Sequence, residues 1–71
     1  MGWYEHELVF AAITTLNEAN KSTNASQVSS RTGLSRQRVV AAAGVLRRDG
    51  RIRDVGKGVA YNWRIIKEVK P

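Results

Sequence analysis

Three long hydrogen-bonding side chains, Arg36, Gln37 and Arg38, follow directly on Ser35. Arginine offers a planar fork of donors that meets phosphate or the guanine edge bidentately, and glutamine matches the adenine edge. Serine is a strong N-cap residue. A helix starting at Ser35 would carry all three side chains on its opening turn, beside backbone N–H groups that themselves attract anions. Arg36 and Gln37 then become candidate readers of base edges, and Arg38, further round the helix, a candidate phosphate clamp. Helical phase continues this outward surface through Val40, Ala41 and Gly44, flanked by Arg47 and Arg48. Small apolar groups there suit thymine methyls or a fit to duplex shape better than a hydrogen-bond code.

Gly44 raises a separate question, because glycine inside a helix costs up to about 1 kcal/mol relative to alanine. Either of two benefits would offset that cost: close approach of the helix to a sugar-phosphate backbone, or tight packing on the first helix or the hairpin. Further candidates lie on both sides of this helix. Arg51, Arg53, Lys57 and Arg64 make the following segment basic, and Lys57 stands between Gly56 and Gly58 where a turn tip would reach a phosphate or a narrow minor groove. Asn24 and Ser26, with Ser22, Thr23 and Gln27, gather where a short helix begins, so that capping and phosphate contact are both open to them. Arg31 and Thr32, with Ser29 and Ser30, are backbone-contact candidates.

The charge of the chain is segregated. Its 71 residues carry a formal net charge of +6, with a pI near 10.6. Residues 1–30 hold one basic residue (Lys21) against three acids (Glu5, Glu7, Glu18), whereas residues 31–71 hold eleven basic residues against three acids (Asp49, Asp54, Glu68). That asymmetry is the electrostatic footprint of a polyanion binder. If about five to seven of these cations neutralise phosphates, log affinity falls with log salt at about −0.9 per contact.

Other chemistries find little support. There is no cysteine, hence no disulfide framework and no thiolate metal site. The lone His6 beside Glu5 and Glu7 lacks a second ligand at metal spacing. Gly56-Lys57-Gly58 lacks the rest of a phosphate-binding loop, and no nucleophile–base set stands in the sequence. An enzyme is not expected, nor a cofactor. No stretch approaches the roughly 18 apolar residues of a membrane span, and no signal pattern opens the chain, so a cytoplasmic protein is expected.

The elements that must position these residues follow from periodicity. Residues 5–19 read as a first helix, with Val9, Ala12, Ile13 and Leu16 on one stripe, Phe10 widening it, and Glu5 and Glu7 in the first turn. A short second helix, capped by Asn24 or Ser26 and buried through Val28, runs to about Arg31. Thr32-Gly33 breaks it, Leu34 turns inward, and Ser35 caps a third helix that buries Val39, Ala42 or Ala43, and Leu46 before Asp49-Gly50 stops it. The period then changes to two over 51–55 and 59–65, a hairpin whose second strand turns Val59, Tyr61, Trp63 and Ile65 to one face. Trp3, Phe10, Ile13, Leu16, Leu46, Ile52, Trp63 and Ile65 supply the apolar bulk, within a chain that is 42% hydrophobic.

This order resembles the winged helix-turn-helix family. Val28, Leu34 and Val39 around the turn, Gly33 within it, and Gly56-Lys57-Gly58 at the wing tip match its pattern. Ser29 departs from the alanine often found there but is small enough to fit. The resemblance covers roughly residues 5–66. It implies an α+β fold of three helices followed by a two-stranded β-hairpin wing, with residues 1–71 as one domain and 1–4 and 67–71 as loose ends. The Thr23-Asn24-Ala25-Ser26 entry and the alanine-rich third helix are further similar to the DNA-binding domain of Rok-type nucleoid proteins, which silence AT-rich foreign genes in bacteria. The resemblances imply a repressor or nucleoid-associated module that binds AT-rich double-stranded DNA through helix 35–48 and wing 51–64. It would be monomeric by itself, with any oligomerisation supplied by a longer parent chain. The expected interface is Asn24, Ser26, Arg31, Thr32, Ser35, Arg36, Gln37, Arg38, Val40, Ala41, Gly44, Arg47, Arg48, Arg51, Arg53, Lys57 and Gly58. Because some winged helices bind protein or RNA, the same basic face admits those partners as alternatives.

Overall fold

A computed structural model describes residues 2–55 and 62–66, with side chains from Glu5 onward. Helix α1 (Gly2–Glu18) begins ahead of the expected start at residue 5, since neither proline nor a capping side chain interrupts Gly2 to Glu5. Glu7 therefore lies beyond the first turn, which holds Glu5 alone. The helix ends at Glu18, one residue short of expectation. Asn20 there takes a left-handed φ of 58°, and the Lys21 N–H reaches the Leu16 carbonyl at 2.9 Å. This six-to-one bond is the Schellman ending, which satisfies carbonyls that have no further helical partner.

Helix α2 (Ala25–Thr32) is capped by Asn24, whose side chain accepts from the Gln27 N–H, so Asn24 rather than Ser26 does the capping. Helix α3 (Arg36–Arg48) is capped by Ser35 and ends on the same kind of closure as α1: Gly50 at φ 78°, with the Arg51 N–H on the Leu46 carbonyl at 2.9 Å. Two short strands follow, β1 (Ile52–Asp54) and β2 (Trp63–Ile65), antiparallel, with Ile52 opposite Ile65, Arg53 opposite Arg64 and Asp54 opposite Trp63. Both described strands are shorter than expected, although Val55 N–H to Asn62 O and Ile66 N–H to Arg51 O extend the ladder at each end. Residues 59–61 of the expected second strand, and Tyr61 with them, lie outside the described residues, as do the wing-tip residues 56–58 and the end 67–71. Three helices and a two-stranded hairpin make an α+β arrangement consistent with a winged-helix layout.

Val9, Ala12, Ile13 and Leu16 of α1 meet Val28 of α2, Val39, Ala42, Ala43 and Leu46 of α3, and Ile52 and Trp63 of the hairpin in one buried cluster. Phe10, Leu34 and Ile65 pack partly buried at its edge. Helix α1 is the central element, packing on α2, α3 and β2. A hairpin of two such short strands is not stable by itself, and three polar side chains fasten it. The Asn17 amide donates to the Trp63 carbonyl at 3.0 Å and accepts from the Ile65 N–H at 2.9 Å. Thr23, only 2% exposed, accepts from the Trp63 N–H through its hydroxyl and donates to the Trp63 carbonyl. Asn62 Oδ1 accepts from the Ser22 hydroxyl at 3.0 Å and the Thr23 N–H at 3.2 Å. The α1–α2 loop and the base of the hairpin are thereby latched together.

Candidate nucleic-acid interface

The turn between α2 and α3 sets the direction of α3, and side-chain hydroxyls fix it. Gly33 adopts a φ of 82°, which glycine takes without steric cost, and its N–H meets the Ser29 carbonyl at 2.8 Å. The Ser29 hydroxyl donates to the Leu34 carbonyl at 2.6 Å. Thr32 donates to the Val28 carbonyl at 2.8 Å and accepts from the Leu34 N–H at 3.2 Å. Ser35 accepts from the Arg38 N–H at 3.2 Å. Serine at position 29 is thus more than a tolerated alanine substitute, because it bonds across the turn. Thr32, Ser35 and Asn24, all interface candidates, hold this local geometry with their side chains.

Helix α3 buries Val39, Ala42, Ala43 and Leu46 and turns Arg36, Gln37, Val40 and Ala41 outward. Val40 is 53% exposed, a large β-branched side chain presented to solvent. Of the two benefits considered for Gly44, tight packing finds no support, since a Cβ built there meets nothing within 4 Å. Packing against α1 or the hairpin does not require a glycine at this position. Replacing Gly44 with alanine is accordingly expected to stabilise the fold by up to about 1 kcal/mol. A rise in thermal midpoint measures that part. If the α3 face abuts a sugar-phosphate backbone, the same substitution weakens duplex binding despite the stabler fold.

The arginines divide into two groups. Arg36 donates to the Ser26 hydroxyl at 3.2 Å, which brings the starts of α2 and α3 together on one side of the molecule. Arg31, Arg48, Arg53 and Arg64 are exposed, with no ion pair among the described residues. Arg38, expected as a phosphate clamp, pairs instead with Glu5 of α1 at 3.0 Å, and Arg47 pairs with Asp54 of β1 at 2.9 Å. Exposed pairs of this kind are worth about 0–1 kcal/mol, so a phosphate can compete for either arginine. Arg51 is placed differently: it pairs with Glu7 at 2.9 Å and lies over the Phe10 ring at 4.1 Å, tying the start of the hairpin to α1. Lys57 and Gly58 lie outside the described residues.

The acids of α1 therefore do more than favour its N-terminus, since Glu5 and Glu7 each engage a cation from the basic half. The Arg51 guanidinium holds the Glu7 carboxyl below its ordinary value, mainly by direct hydrogen bonding, and Glu7 in turn raises Arg51. A carboxyl depressed on folding contributes stability above its unfolded value and loses it as pH falls through the folded one. Urea midpoints should drop as pH falls through the ordinary carboxylate range and below, and Glu7→Gln, which removes the contribution present at neutral pH, should lower the neutral-pH midpoint slightly and flatten that acid limb. An acid limb equally steep in the variant would remove Glu7 as a cause.

Against known protein families, curated proteins and solved structures, the chain has no significant match. Among the described residues no group of His, Cys, Asp or Glu is arranged to hold a metal ion, and no helix is long and apolar enough to cross a membrane. Asn17 and Asn62, which position the hairpin, carry no pattern by which the sequence alone marks them, and Thr23, a candidate for capping or phosphate contact, is instead buried and bonded to the Trp63 backbone.

Proposed function

We propose that this chain is a double-stranded DNA-binding domain of a bacterial transcriptional repressor or nucleoid-associated protein, favouring AT-rich duplex. The observation that carries this reading is the outward surface of α3. Arg36 and Gln37 lie at its capped start, Val40, Ala41 and an open Gly44 in its middle, and Arg48 at its end. Base-reading groups are few on that surface. A close fit to the groove, with phosphate contacts at both ends of the helix, suits it better than a hydrogen-bond code. Arg31 and the Asn24–Ser26 start of α2 flank it, and the basic sequence of the wing 51–64 is proposed to add phosphate contacts. The segregated charge of the chain supports the same reading.

A gel shift comparing an AT-rich duplex, a GC-rich duplex and an RNA hairpin tests it. Preference for the AT-rich duplex is expected. Equal or stronger binding of the RNA, or no binding to any of the three, would sink the proposal and favour an RNA-binding or protein-interaction role for the basic face. Replacing A·T by inosine·C pairs keeps the minor-groove pattern and changes the major-groove one, so survival of binding indicates minor-groove and shape readout. Amide shifts on titration should centre on Arg36, Gln37 and Lys57. Shifts confined to α1 would refute the docking face.

A further inference from the structure

The outward side of α3 carries an apolar side chain that the fold does not use. Of the large apolar side chains exposed among the described residues, Val55 and Ile66 follow the two strands, and Val40, 53% exposed, stands on α3. A β-branched side chain loses rotamer freedom in a helix, and exposure returns nothing for it. Its neighbours along that side are Arg36 and Gln37, four and three residues earlier, and Gly44, four later. A Cβ built at Gly44 meets nothing within 4 Å, and Ala41 ends in a single methyl, so Val40 projects beyond both. Arg36 and Arg48, exposed and without an ion pair among the described residues, stand before and after it.

Cations towards both ends of the helix suit phosphate backbones, and an apolar knob between them needs an apolar group on the groove floor. The major groove is wide enough to admit a helix, and the thymine C5 methyl is the apolar group that base edges present there. We propose that Val40 is a specificity-determining residue, which packs on the C5 methyl of a thymine while the flanking arginines hold phosphates. Neither guanine nor cytosine carries such a methyl, so a G·C pair in that place forfeits the contact. The inference rests on the duplex-binding reading above. It assigns the preference for AT-rich duplex to one side chain and one group on the base.

Uracil tests it, because it differs from thymine only in lacking that methyl. In anisotropy titrations, wild type is expected to bind an AT-rich duplex about fourfold more tightly than the same duplex with uracil in place of every thymine. Val40→Ala should not distinguish the two, binding both as wild type binds the uracil duplex. The exposed position keeps the variant folded, so its thermal midpoint should stay close to that of wild type. Salt dependence should be the same for both duplexes, because the methyl carries no charge. Inosine·C pairs also lack the methyl and should weaken wild-type binding likewise. Equal wild-type affinity for the thymine and uracil duplexes overturns this inference and leaves the duplex-binding reading standing. A thymine preference that persists in Val40→Ala overturns it too, since another group or the duplex shape then senses the methyl. Unequal salt slopes would place the difference in phosphate contacts and overturn it as well. A wild-type domain that binds no duplex at all overturns both this inference and the proposed function.

Discussion

Raising salt from about 50 to about 200 mM is expected to weaken binding of a short AT-rich duplex by about a hundredfold, a log–log slope of about −3.6. The value follows from which cations remain available around α3. Arg31, Arg36 and Arg48 are exposed without an ion pair among the described residues, and Lys57, which lies outside the described residues, is counted as a fourth from its place in the sequence between Gly56 and Gly58. Arg38, Arg47 and Arg51 are each engaged by a carboxylate of their own chain. Counting every basic residue near the face as a phosphate contact would steepen the slope to about −6. Exchanging Glu5 for glutamine frees Arg38, and the slope of that variant should steepen by about 0.9. Anisotropy titrations across a salt series measure all of this. A wild-type slope near −6 would mean that the paired arginines trade their carboxylates for phosphates, and a slope near zero would refute binding through phosphates.

The largest effect on stability is expected from Leu46→Ala, a loss of about 2–5 kcal/mol. Leu46 is fully buried where α3, α1 and the hairpin meet, and its carbonyl also takes the Arg51 N–H that closes the helix. A domain of this size holds only about 0.05–0.15 kcal/mol of stability per residue, so the loss is a large share of the whole. Urea denaturation should show the midpoint falling steeply or the variant already unfolded in water. Val40→Ala on the opposite side of the same helix is the comparison: Val40 is exposed, and its truncation should move stability by no more than about 0.5 kcal/mol. Equal losses at the two positions would mean that the buried and exposed sides of α3 are wrongly assigned, and the interface with them.

Much of the fold was legible in the sequence because it depends on neighbours in the chain. Gly33 and Gly50 mark left-handed turns, Ser35 marks a helix start, and the Val9–Ala12–Ile13–Leu16 stripe has helical spacing. Each is a local property of backbone sterics or periodicity. The outward set on α3 followed from phase for the same reason. The start of α1 was less legible, because no residue near Glu5 forces a helix to begin there. What tertiary structure alone decided is which groups meet from distant parts of the chain. Asn17 and Thr23 hold Trp63, Glu5 and Glu7 take Arg38 and Arg51, and Arg53 faces Arg64 across the hairpin. Net charge and helical phase determined that α3 would be basic and outward-facing. The crossing of α1 over α3 and the register of the hairpin determined which arginines stay free for a partner, since an ion pair depends on distances that only the packed chain sets.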